Sequence, residues 1–550
     1  MDNKLVVVLT GEIGSGKTTL ANSLEKDYNF VVLKTSEALS KIASSRFHKR
    51  KSEDKRQFLQ RVGETLDRET QGRWVVEHYQ SIINENSRIV VDSIRIHEQI
   101  EAFRQSYGHQ NVLQIYLNVS DHVLESRHFI TNKLKFDDLE AIHSYKEYKS
   151  NKTEAKVKLL AKDADLVIDA ENAPVEDNVI RVASFLRLLP SVYTSNVDVL
   201  IGGQFGSEGK GQISAFLSPE YDCLVRVGGP NAGHKVFEAS APDTFHILPS
   251  GARRSRNSKI ILGPGAVISL DILLREIKQF DIMPGRLIID ENCTIISEKD
   301  KESEAKLDKI GSTKQGVGAA TANNLFHNRI TESIDHKAKN RKELLQYLGS
   351  SHYEFEKLYS SNAKILLEGT QGSLLSLHHG IYPYVTSRDT TVSGCISEAG
   401  ISPKRIRKII MVTRTFPIRV QNPTNGTSGP FSRHDSNIEI NYEDLATSSK
   451  IPIAEILQTE LTSTTKKQRR LSKFNWALFR EACEVNSPTD IALTFADYIS
   501  IKNRGARRYD QLTEETTKFI DEIERCGGMP VSLIATNFNH RSIIDRRNWK

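Results

Sequence analysis

The sequence predicts an α/β fold in two consecutive domains, a parallel-sheet domain over residues 1–190 and a larger α/β domain over residues 197–550. Two glycine-rich loops, Gly11–Thr18 and Gly202–Gly211, predict this organisation, because each follows a short apolar run typical of a buried strand. Between them, residues 188–196 contain proline, serine and threonine residues, as is typical of a domain junction.

The composition is that of a globular protein rather than a disordered or fibrous one, since 38% of the residues are hydrophobic and 26% are charged. The five cysteines are scattered without the paired spacing of a metal site, which predicts a reducing, cytoplasmic location. No apolar run reaches the roughly 18 residues of a membrane helix, so we expect no membrane partner. The net charge of +6 is compatible with phosphate-bearing substrates and with nucleic acid alike. The motifs below favour small-molecule substrates, and we expect no direct contact with nucleic acid.

The first loop is a complete Walker A motif, G-x-x-x-x-G-K-[ST], which follows an apolar strand at Leu5–Leu9. Its glycines let backbone N–H groups point at phosphate oxygens, Lys17 reaches the β- and γ-phosphates, and the Thr18 hydroxyl ligates Mg²⁺. The predicted phosphate-binding residues are Gly11, Gly14, Gly16, Lys17 and Thr18. The motif therefore predicts binding of a nucleoside triphosphate with Mg²⁺.

A strand candidate at residues 88–95 has Asp92 at the C-terminal end of its buried run, where it is a natural metal-side partner for the Walker loop, and Arg95 lies where it can hold an acceptor phosphate. With the Leu59–Gly63 segment and an A-D-x-V-I strand at residues 164–168, these motifs resemble P-loop kinases of the dephospho-CoA kinase and deoxynucleoside monophosphate kinase type. The resemblance covers residues 1–188 and implies transfer of a phosphoryl group from the bound nucleotide to an acceptor that the sequence does not identify.

The lid of this first domain departs from such kinases. Where they carry several arginines, this chain has His128, Asn132 and Lys133. Lys133 and Lys135 are candidates for a lid that closes over phosphate, and a solvated surface is the alternative interpretation.

The second glycine-rich loop is not a Walker motif, but it offers several flexible backbone donors, and Lys210 lies at a helix start, where the macrodipole favours phosphate. Seven further motifs follow in order along the chain. They are N-A-G-H at 231–234, L-P-S-G at 248–251, G-P-G-A-V at 263–267, G-S-T at 311–313, E-G-T-Q-G at 368–372, H-G-I-Y-P-Y-V-T at 379–386 and T-S-T-T-K-K-Q-R-R at 462–470. Together these motifs resemble the adenylosuccinate synthetase family across nearly all of residues 197–550.

The resemblance implies that a γ-phosphoryl group is placed on the 6-oxygen of a purine monophosphate and that the amine of L-aspartate then displaces the phosphate. In such a reaction His234 stabilises or protonates the 6-oxygen, Lys210 meets nucleotide phosphate and the Gly233 carbonyl ligates Mg²⁺. Positions that match the nucleotide site are Gly206, Gly209, Lys210, Gly211 and Asp497; those of the monophosphate site are Asn231, Ser312, Thr313, Gln371 and Thr386; those of the aspartate loop are Thr464, Thr465, Lys467, Arg469 and Arg470. Adjacent arginines beside hydroxyls are suited to a dicarboxylate.

One substitution in the signature loop bears on the substrate. Ordinary members of the family read G-D-E-G-K-G where this chain reads G-S-E-G-K-G, with Ser207 in place of the aspartate. In the family that aspartate removes the purine N1 proton and contacts Mg²⁺, whereas a serine hydroxyl is a weak base and a neutral ligand. Ser207 makes the loop similar to the viral 2-aminoadenylosuccinate branch, which acts on deoxyguanylate (dGMP), because a small neutral residue leaves room for the purine 2-amino group. The predicted catalytic residues are Ser207, Lys210 and His234.

Other interpretations stay open. The family's guanine-reading K-x-D motif is Phe495-Ala-Asp497 here, so the phosphoryl donor is ATP or GTP. One alternative is an ordinary synthetase that acts on inosine monophosphate (IMP), and another is an NTP-sensing regulatory or phage-defence protein whose Walker domain does not phosphorylate a substrate. The resemblance also implies a homodimer with an arginine that crosses to the partner's monophosphate site, for which Arg329 is the candidate.

Overall fold

The computed structural model describes residues 4–50, 55–132, 156–189, 194–238, 241–306, 311, 313–327, 336–434, 438–462 and 467–549. The chain divides into two compact units, Met1–Leu189 and Pro190–Lys550. Each unit is built on its own largely parallel sheet with helices, which confirms the predicted α/β class. No helix of the described residues is long and apolar enough to cross a membrane.

The first unit contains a five-stranded parallel sheet. Its strands are β1 (Leu5–Thr10), β2 (Val31–Lys34), β3 (Arg88–Asp92), β4 (Val112–Asn118) and β5 (Leu166–Asp169), and its helices are α1 (Lys17–Tyr28), α2 (Thr35–Arg46), α3 (Lys55–Thr70), α4 (Trp74–Glu85), α5 (His97–Tyr107), α6 (Asp121–Asn132) and α7 (Val175–Phe185). The strand order is β2-β3-β1-β4-β5, so β1 is central and apolar side chains pack on both of its faces. Burial on both faces explains its unbroken apolar run. Because β3 pairs directly with β1, Asp92 ends beside the Walker loop.

The second unit contains a ten-stranded sheet and several short ribbons. Its strands are β6 (Val197–Gly202), β7 (Cys223–Arg226), β8 (His234–Val236), β9 (Asp243–Phe245), β10 (Lys259–Leu262), β11 (Val267–Ile268), β12 (Leu287–Asp290), β13 (Thr294–Ile295), β14 (Leu348–Gly349), β15 (Ile365–Glu368), β16 (Ile406–Arg414), β17 (Ile418–Arg419), β18 (Glu439–Ile440), β19 (Arg470–Ser472), β20 (Asp490–Thr494), β21 (Val531–Ala535) and β22 (Ile543–Asp545). The helices are α8 (Lys210–Leu217), α9 (Leu270–Gln279), α10 (Glu298–Ala305), α11 (Val317–His327), α12 (Ser351–Ser360), α13 (Val392–Ala399), α14 (Tyr442–Ser449), α15 (Ile453–Thr459), α16 (Trp476–Asn486) and α17 (Glu514–Gly527).

The strand order of the large sheet gathers the predicted motifs at one edge. The order is β14-β12-β10-β7-β15-β6-β16-β20-β21-β22, and every pair is parallel except β21 with β22. Five neighbouring strands of this sheet carry the site segments at their carboxyl ends. The N-A-G-H segment follows β7, the E-G-T-Q-G segment begins at the end of β15, and the signature loop follows β6. Arg414 is the last residue of β16, and the Phe495–Asp497 turn follows β20. Ligands of open parallel sheets bind outside the carboxyl ends of the strands, so this edge is the expected position of the site.

Candidate active sites

The Walker loop of the first unit requires its glycines. Gly11, Gly14 and Gly16 have φ angles of +136°, +83° and +100°, in a region that other residues rarely adopt. A Cβ atom on Gly11 would also lie 2.7 Å from the carbonyl oxygen of Leu117. The sequence motif is therefore fixed by backbone geometry as well as by phosphate chemistry.

The polar side chains of this loop have the arrangement of a nucleotide site. The Lys17 ammonium donates to the carbonyl oxygens of Gly11 at 2.7 Å and Glu12 at 2.8 Å, which holds it over the loop. The Thr18 hydroxyl donates to Asp92 Oδ2 at 2.7 Å, and Asp92 is buried. A hydroxyl and a carboxylate side by side suit Mg²⁺, which takes one or two protein oxygens along with phosphate and water. Arg95 is exposed, and Lys133 and Lys135 lie outside the described residues.

A buried carboxylate shapes the signature loop of the second unit. Glu208 is fully buried and accepts hydrogen bonds from the backbone N–H of Gly206 at 2.7 Å and from the Lys210 ammonium at 2.6 Å. The loop turns through positive φ angles at Gly206, Ser207 and Gly209, and Ser207 is exposed. Sequence reasoning did not single out Glu208, which holds the loop in shape by bonding both the Gly206 N–H and the buried Lys210 ammonium.

His234 is held by a carboxylate that the sequence motifs contain but do not identify as functional. Its Nδ1 is hydrogen bonded to Glu368 at the end of β15, and both side chains are buried. Glu368 also accepts from Arg226 Nη1 at 3.1 Å, Ser250 Oγ at 2.5 Å and Ser214 Oγ at 2.6 Å. Glu368, Arg226, Ser250 and Ser214 form a polar cluster that fixes the orientation of the imidazole ring.

The charges of this cluster set the protonation of His234. Burial opposes ionisation of Glu368, but Arg226 and the hydrogen bonds from His234 and Ser214 outweigh it and lower its pKa to about 2. Burial, Arg226 and Lys210 lower the pKa of His234 to about 4 against the effect of Glu368. An ionised carboxylate only accepts, so Nδ1 carries the proton and Nε2 is the ring nitrogen left to meet a substrate atom.

A cavity of about 340 Å³ brings the predicted catalytic residues together. It is lined by Ser207, Lys210, Gly233, His234 and Arg469, with Phe237, Phe495 and Phe538 among the apolar residues. A smaller cavity of about 190 Å³ shares Gln458, Thr459 and Phe538 with it and is lined by Asp497 and Arg504. Burial raises the pKa of Asp497 to about 6 in spite of Arg504, whose Nε lies 3.5 Å from its Oδ2.

The two arginines of the predicted aspartate loop differ in position. Arg469 lines the larger cavity, whereas the Arg470 guanidinium forms a bidentate pair with Glu439, at 2.8 and 2.6 Å, and does not line it. Lys467 is exposed at the base of the loop, and Thr464 and Thr465 lie outside the described residues.

Four of the residues predicted to hold the purine monophosphate are described, and none of these four lines either cavity: Asn231, Thr313, Gln371 and Thr386. The Thr313 hydroxyl donates to Asn231 Oδ1 at 2.8 Å. Gln371 has a φ of +63°, and a Cβ atom on Gly202 would lie 2.6 Å from its carbonyl oxygen, so it packs directly against the loop. The Thr386 N–H donates to Leu375 O at 2.8 Å, and Ser312 lies outside the described residues.

The described ranges contain no cluster of three or more His, Cys, Asp and Glu side chains suited to a metal ion. The Thr18–Asp92 pair lies at the first predicted Mg²⁺ position, and Gly233, whose carbonyl is the predicted ligand at the second, lines the larger cavity.

Comparisons with known proteins separate the two units. Residues 199–331 and 322–504 match the adenylosuccinate synthetase family, and residues 7–128 match an AAA domain. Adenylosuccinate synthetase from Methanocaldococcus jannaschii is 34% identical over 360 residues, which are 64% of this chain and 96% of the relative. The enzyme from Methanococcus aeolicus is 35% identical, over 64% of this chain and 99% of the relative.

Two solved structures share the fold of the second unit. Succinoaminodeoxyadenylate synthetase from cyanophage S-2L, bound to dGMP and to dATP as an energy donor, has a TM-score of 0.54 and 25% identity, over 64% of this chain and 96% of that one. Fully ligated adenylosuccinate synthetase from Plasmodium falciparum also has a TM-score of 0.54, with 22% identity over 64% of this chain and 100% of that one.

Proposed function

The chain belongs to the adenylosuccinate synthetase family, and on that premise we propose that it joins L-aspartate to the 6-position of dGMP, giving 2-amino-deoxyadenylosuccinate. The observation that carries the choice of dGMP is Ser207, which lines the same cavity as Lys210 and His234. The cyanophage relative, which was solved with dGMP, supports this choice of purine.

The proposed reaction has two steps. The γ-phosphoryl group bonds to the purine 6-oxygen as the nucleoside diphosphate leaves, and the amine of aspartate then attacks C6 while phosphate departs with that oxygen. Lys210, at the N-terminus of α8, meets the nucleotide phosphates, and His234 Nε2 meets the 6-oxygen. Arg469 provides a cation for an aspartate carboxylate, and Mg²⁺, when bound, neutralises phosphate charge.

The competing substrate is IMP. IMP and dGMP both carry a proton at N1, so a missing base affects both purines, and the base feature that separates them is the 2-amino group of dGMP, for which the small side chain of Ser207 leaves room. Incubation of the protein with L-aspartate, one purine monophosphate and either ATP or GTP, followed by mass spectrometry, separates the two proposals. We expect the adduct of dGMP to accumulate faster than that of IMP, and a product formed only from IMP would contradict the proposal.

The phosphoryl donor is proposed to be ATP or dATP. The family's guanine-reading lysine is replaced by Phe495, which lines the larger cavity, whereas Asp497 lines the smaller one. The dATP of the cyanophage relative supports an adenine nucleotide. The GTP arm of the same incubation is expected to give less product than the ATP arm, and the reverse order would identify GTP as the donor.

We propose that the first unit is a nucleotide kinase that works independently of the ligase. Lys17→Ala removes the cation that faces the nucleotide phosphates, and we expect loss of nucleotide binding at this loop with unchanged aspartate ligation, because each unit has its own phosphate loop. Equilibrium binding and a ligation assay on the folded variant measure the two effects, with Lys26→Ala, on the last turn of α1, as the control.

Loss of ligation in folded Lys17→Ala would show that the two sites are coupled. Nucleotide binding by the wild-type first unit without phosphorylation of any purine monophosphate would instead favour the NTP-sensing alternative.

The assembly is proposed to be a homodimer. Leu325 and Phe326, adjacent at the end of α11, are 68% and 70% exposed, and a second copy would cover them. The candidate cross-subunit residue, Arg329, lies just beyond them and outside the described residues. We expect the mass of a dimer by light scattering at micromolar concentration, and a fully active monomer would contradict this assembly.

A further inference from the structure

A buried ion cluster lies beside the larger cavity. Arg414, at the end of β16, and Glu460, just after α15, are both fully buried, and Arg414 Nη2 lies 2.6 Å from Glu460 Oε1. Arg469 Nη1 lies 3.3 Å from the other carboxylate oxygen, and the Tyr498 hydroxyl donates to Oε1 at 2.9 Å. Burial alone would raise the pKa of Glu460, but the two arginines and the tyrosine hold it below its ordinary value.

This cluster has more positive than negative charge. Two guanidinium groups share one carboxylate, and the Nε atoms of Arg414 and Arg469 are buried without a hydrogen-bond acceptor among the described residues. Surplus buried charge is costly unless an anion approaches it. Since Arg469 lines the cavity, the cluster is suited to an anionic group that enters there.

Arg414 contacts two further parts of the site. Its Nη1 donates to the carbonyl oxygen of Ser207 at 3.4 Å, and its guanidinium carbon lies 3.8 Å from the centre of the Phe495 ring. One side chain therefore contacts the signature loop, the nucleotide-base motif and, through Glu460, the residue that faces the cavity.

The base of the aspartate loop transmits the position of Glu460 to Arg469. The Arg469 N–H donates to the carbonyl oxygen of Glu460 at 2.9 Å, and the Thr462 N–H donates to that of Lys467 at 2.9 Å, so the two strands of the loop base are paired. A change in the orientation of Glu460 would therefore shift Arg469, because the two residues are bonded through both the backbone and the side chains.

Building on the proposed function, we infer that Arg414 is a positioning residue that couples nucleotide binding to aspartate binding. Nucleotide phosphates at Lys210 fix the signature loop, and the Ser207 carbonyl and the Phe495 ring then hold Arg414 in one orientation. Glu460 in turn holds Arg469 where it receives an aspartate carboxylate. Arg414, Glu460 and Arg469 have to be held in one arrangement for either ligand to bind. The ligand that binds first provides this arrangement, so each ligand strengthens the binding of the other by the same factor.

Isothermal titration calorimetry on the full chain measures this coupling. The Kd of a non-hydrolysable ATP or GTP analogue is determined with and without L-aspartate, at saturating dGMP or IMP. In wild type we expect aspartate to lower the Kd about tenfold. In Arg414→Lys and Arg414→Met, which lose the planar fork, we expect the ratio to approach one while each ligand still binds alone.

Arg547→Met is the matched control. The Arg547 side chain is 1% exposed and pairs with Glu220 and Asp545, neither of which lines the cavities. It should keep the full coupling ratio, which separates coupling from the general effect of removing a buried arginine. Circular dichroism checks that each variant is folded. If Arg414→Met does not fold, the coupling ratio of Arg414→Lys provides the test.

Binding of both ligands to wild type without coupling would overturn this inference and leave the proposed ligase function intact. Coupling that persists in the Arg414 variants would also overturn the inference without affecting the proposed ligase function. If wild type binds no aspartate with either purine monophosphate, the proposed function and the inference both fail.

Discussion

Replacement of His234 by asparagine is expected to lower the kcat of aspartate ligation by about 10²–10⁴, the usual contribution of a positioned acid or base. We propose that His234 contacts the purine 6-oxygen through Nε2, which donates to that oxygen once the ring is protonated; the ionised Glu368 at Nδ1 stabilises the imidazolium as negative charge develops while phosphate is transferred and expelled. An interaction made mainly in the transition state changes kcat more than KM, so we expect the KM values for nucleotide and aspartate to change little.

Steady-state kinetics of the purified variant measures this effect. His352→Asn, at an exposed position on α12, is the control and should retain wild-type rates. Asparagine is smaller than histidine and leaves the Glu368–Arg226 pair intact, so the variant should fold. A fall in kcat of less than tenfold would mean that the histidine is structural and that another group assists the 6-oxygen.

The fold could be predicted, and the glycine loops of the two candidate sites could be located, because both depend on local sequence. A strand, a glycine loop and a helix follow one another within about 20 residues in each unit, and the backbone angles at Gly11 or Gly206 allow few other residues. The proximity of Thr18 and Asp92 also follows from sequence, because neighbouring parallel strands bring their carboxyl ends together.

The buried charge pairs could not be predicted in the same way. Arg226 and Glu368 are 142 residues apart, and a single charged residue at a strand end does not identify its partner. The same holds for Arg414 and Glu460, which are 46 residues apart. The order of the strands places Arg226 beside Glu368, and the end of α15 brings Glu460 to Arg414 at the end of β16.

The difference between Arg469 and Arg470 has a local cause. The two residues are adjacent at the start of β19, and successive side chains of an extended segment point to opposite sides. One of them therefore reaches the cavity while the other pairs with Glu439, and adjacency in the sequence does not reveal which.

Ser207→Asp is expected to reverse the choice of purine monophosphate. The carboxylate restores a base near N1, which raises turnover of IMP, and it crowds the 2-amino group, which lowers turnover of dGMP. We expect the ratio of kcat/KM for dGMP to that for IMP to fall by roughly 10²-fold or more. The backbone accepts the change, because residue 207 has a φ of +56° and aspartate tolerates this region better than most residues.

Ser207→Ala is the control for this substitution. It removes the hydroxyl but keeps a small neutral side chain, so the ratio should still favour dGMP. A ratio that moves equally in both variants would mean that the serine hydroxyl, rather than the absence of a carboxylate, decides the substrate.

The most direct test of the central claim is the ratio of kcat/KM for dGMP to that for IMP in the unmodified protein, measured at saturating L-aspartate with ATP and, separately, with GTP. We expect a ratio well above one with the preferred donor, because the cavity that contains His234 and Lys210 has a serine where ordinary synthetases have a carboxylate. A ratio below one with both donors would contradict it and would identify the protein as an IMP-dependent synthetase.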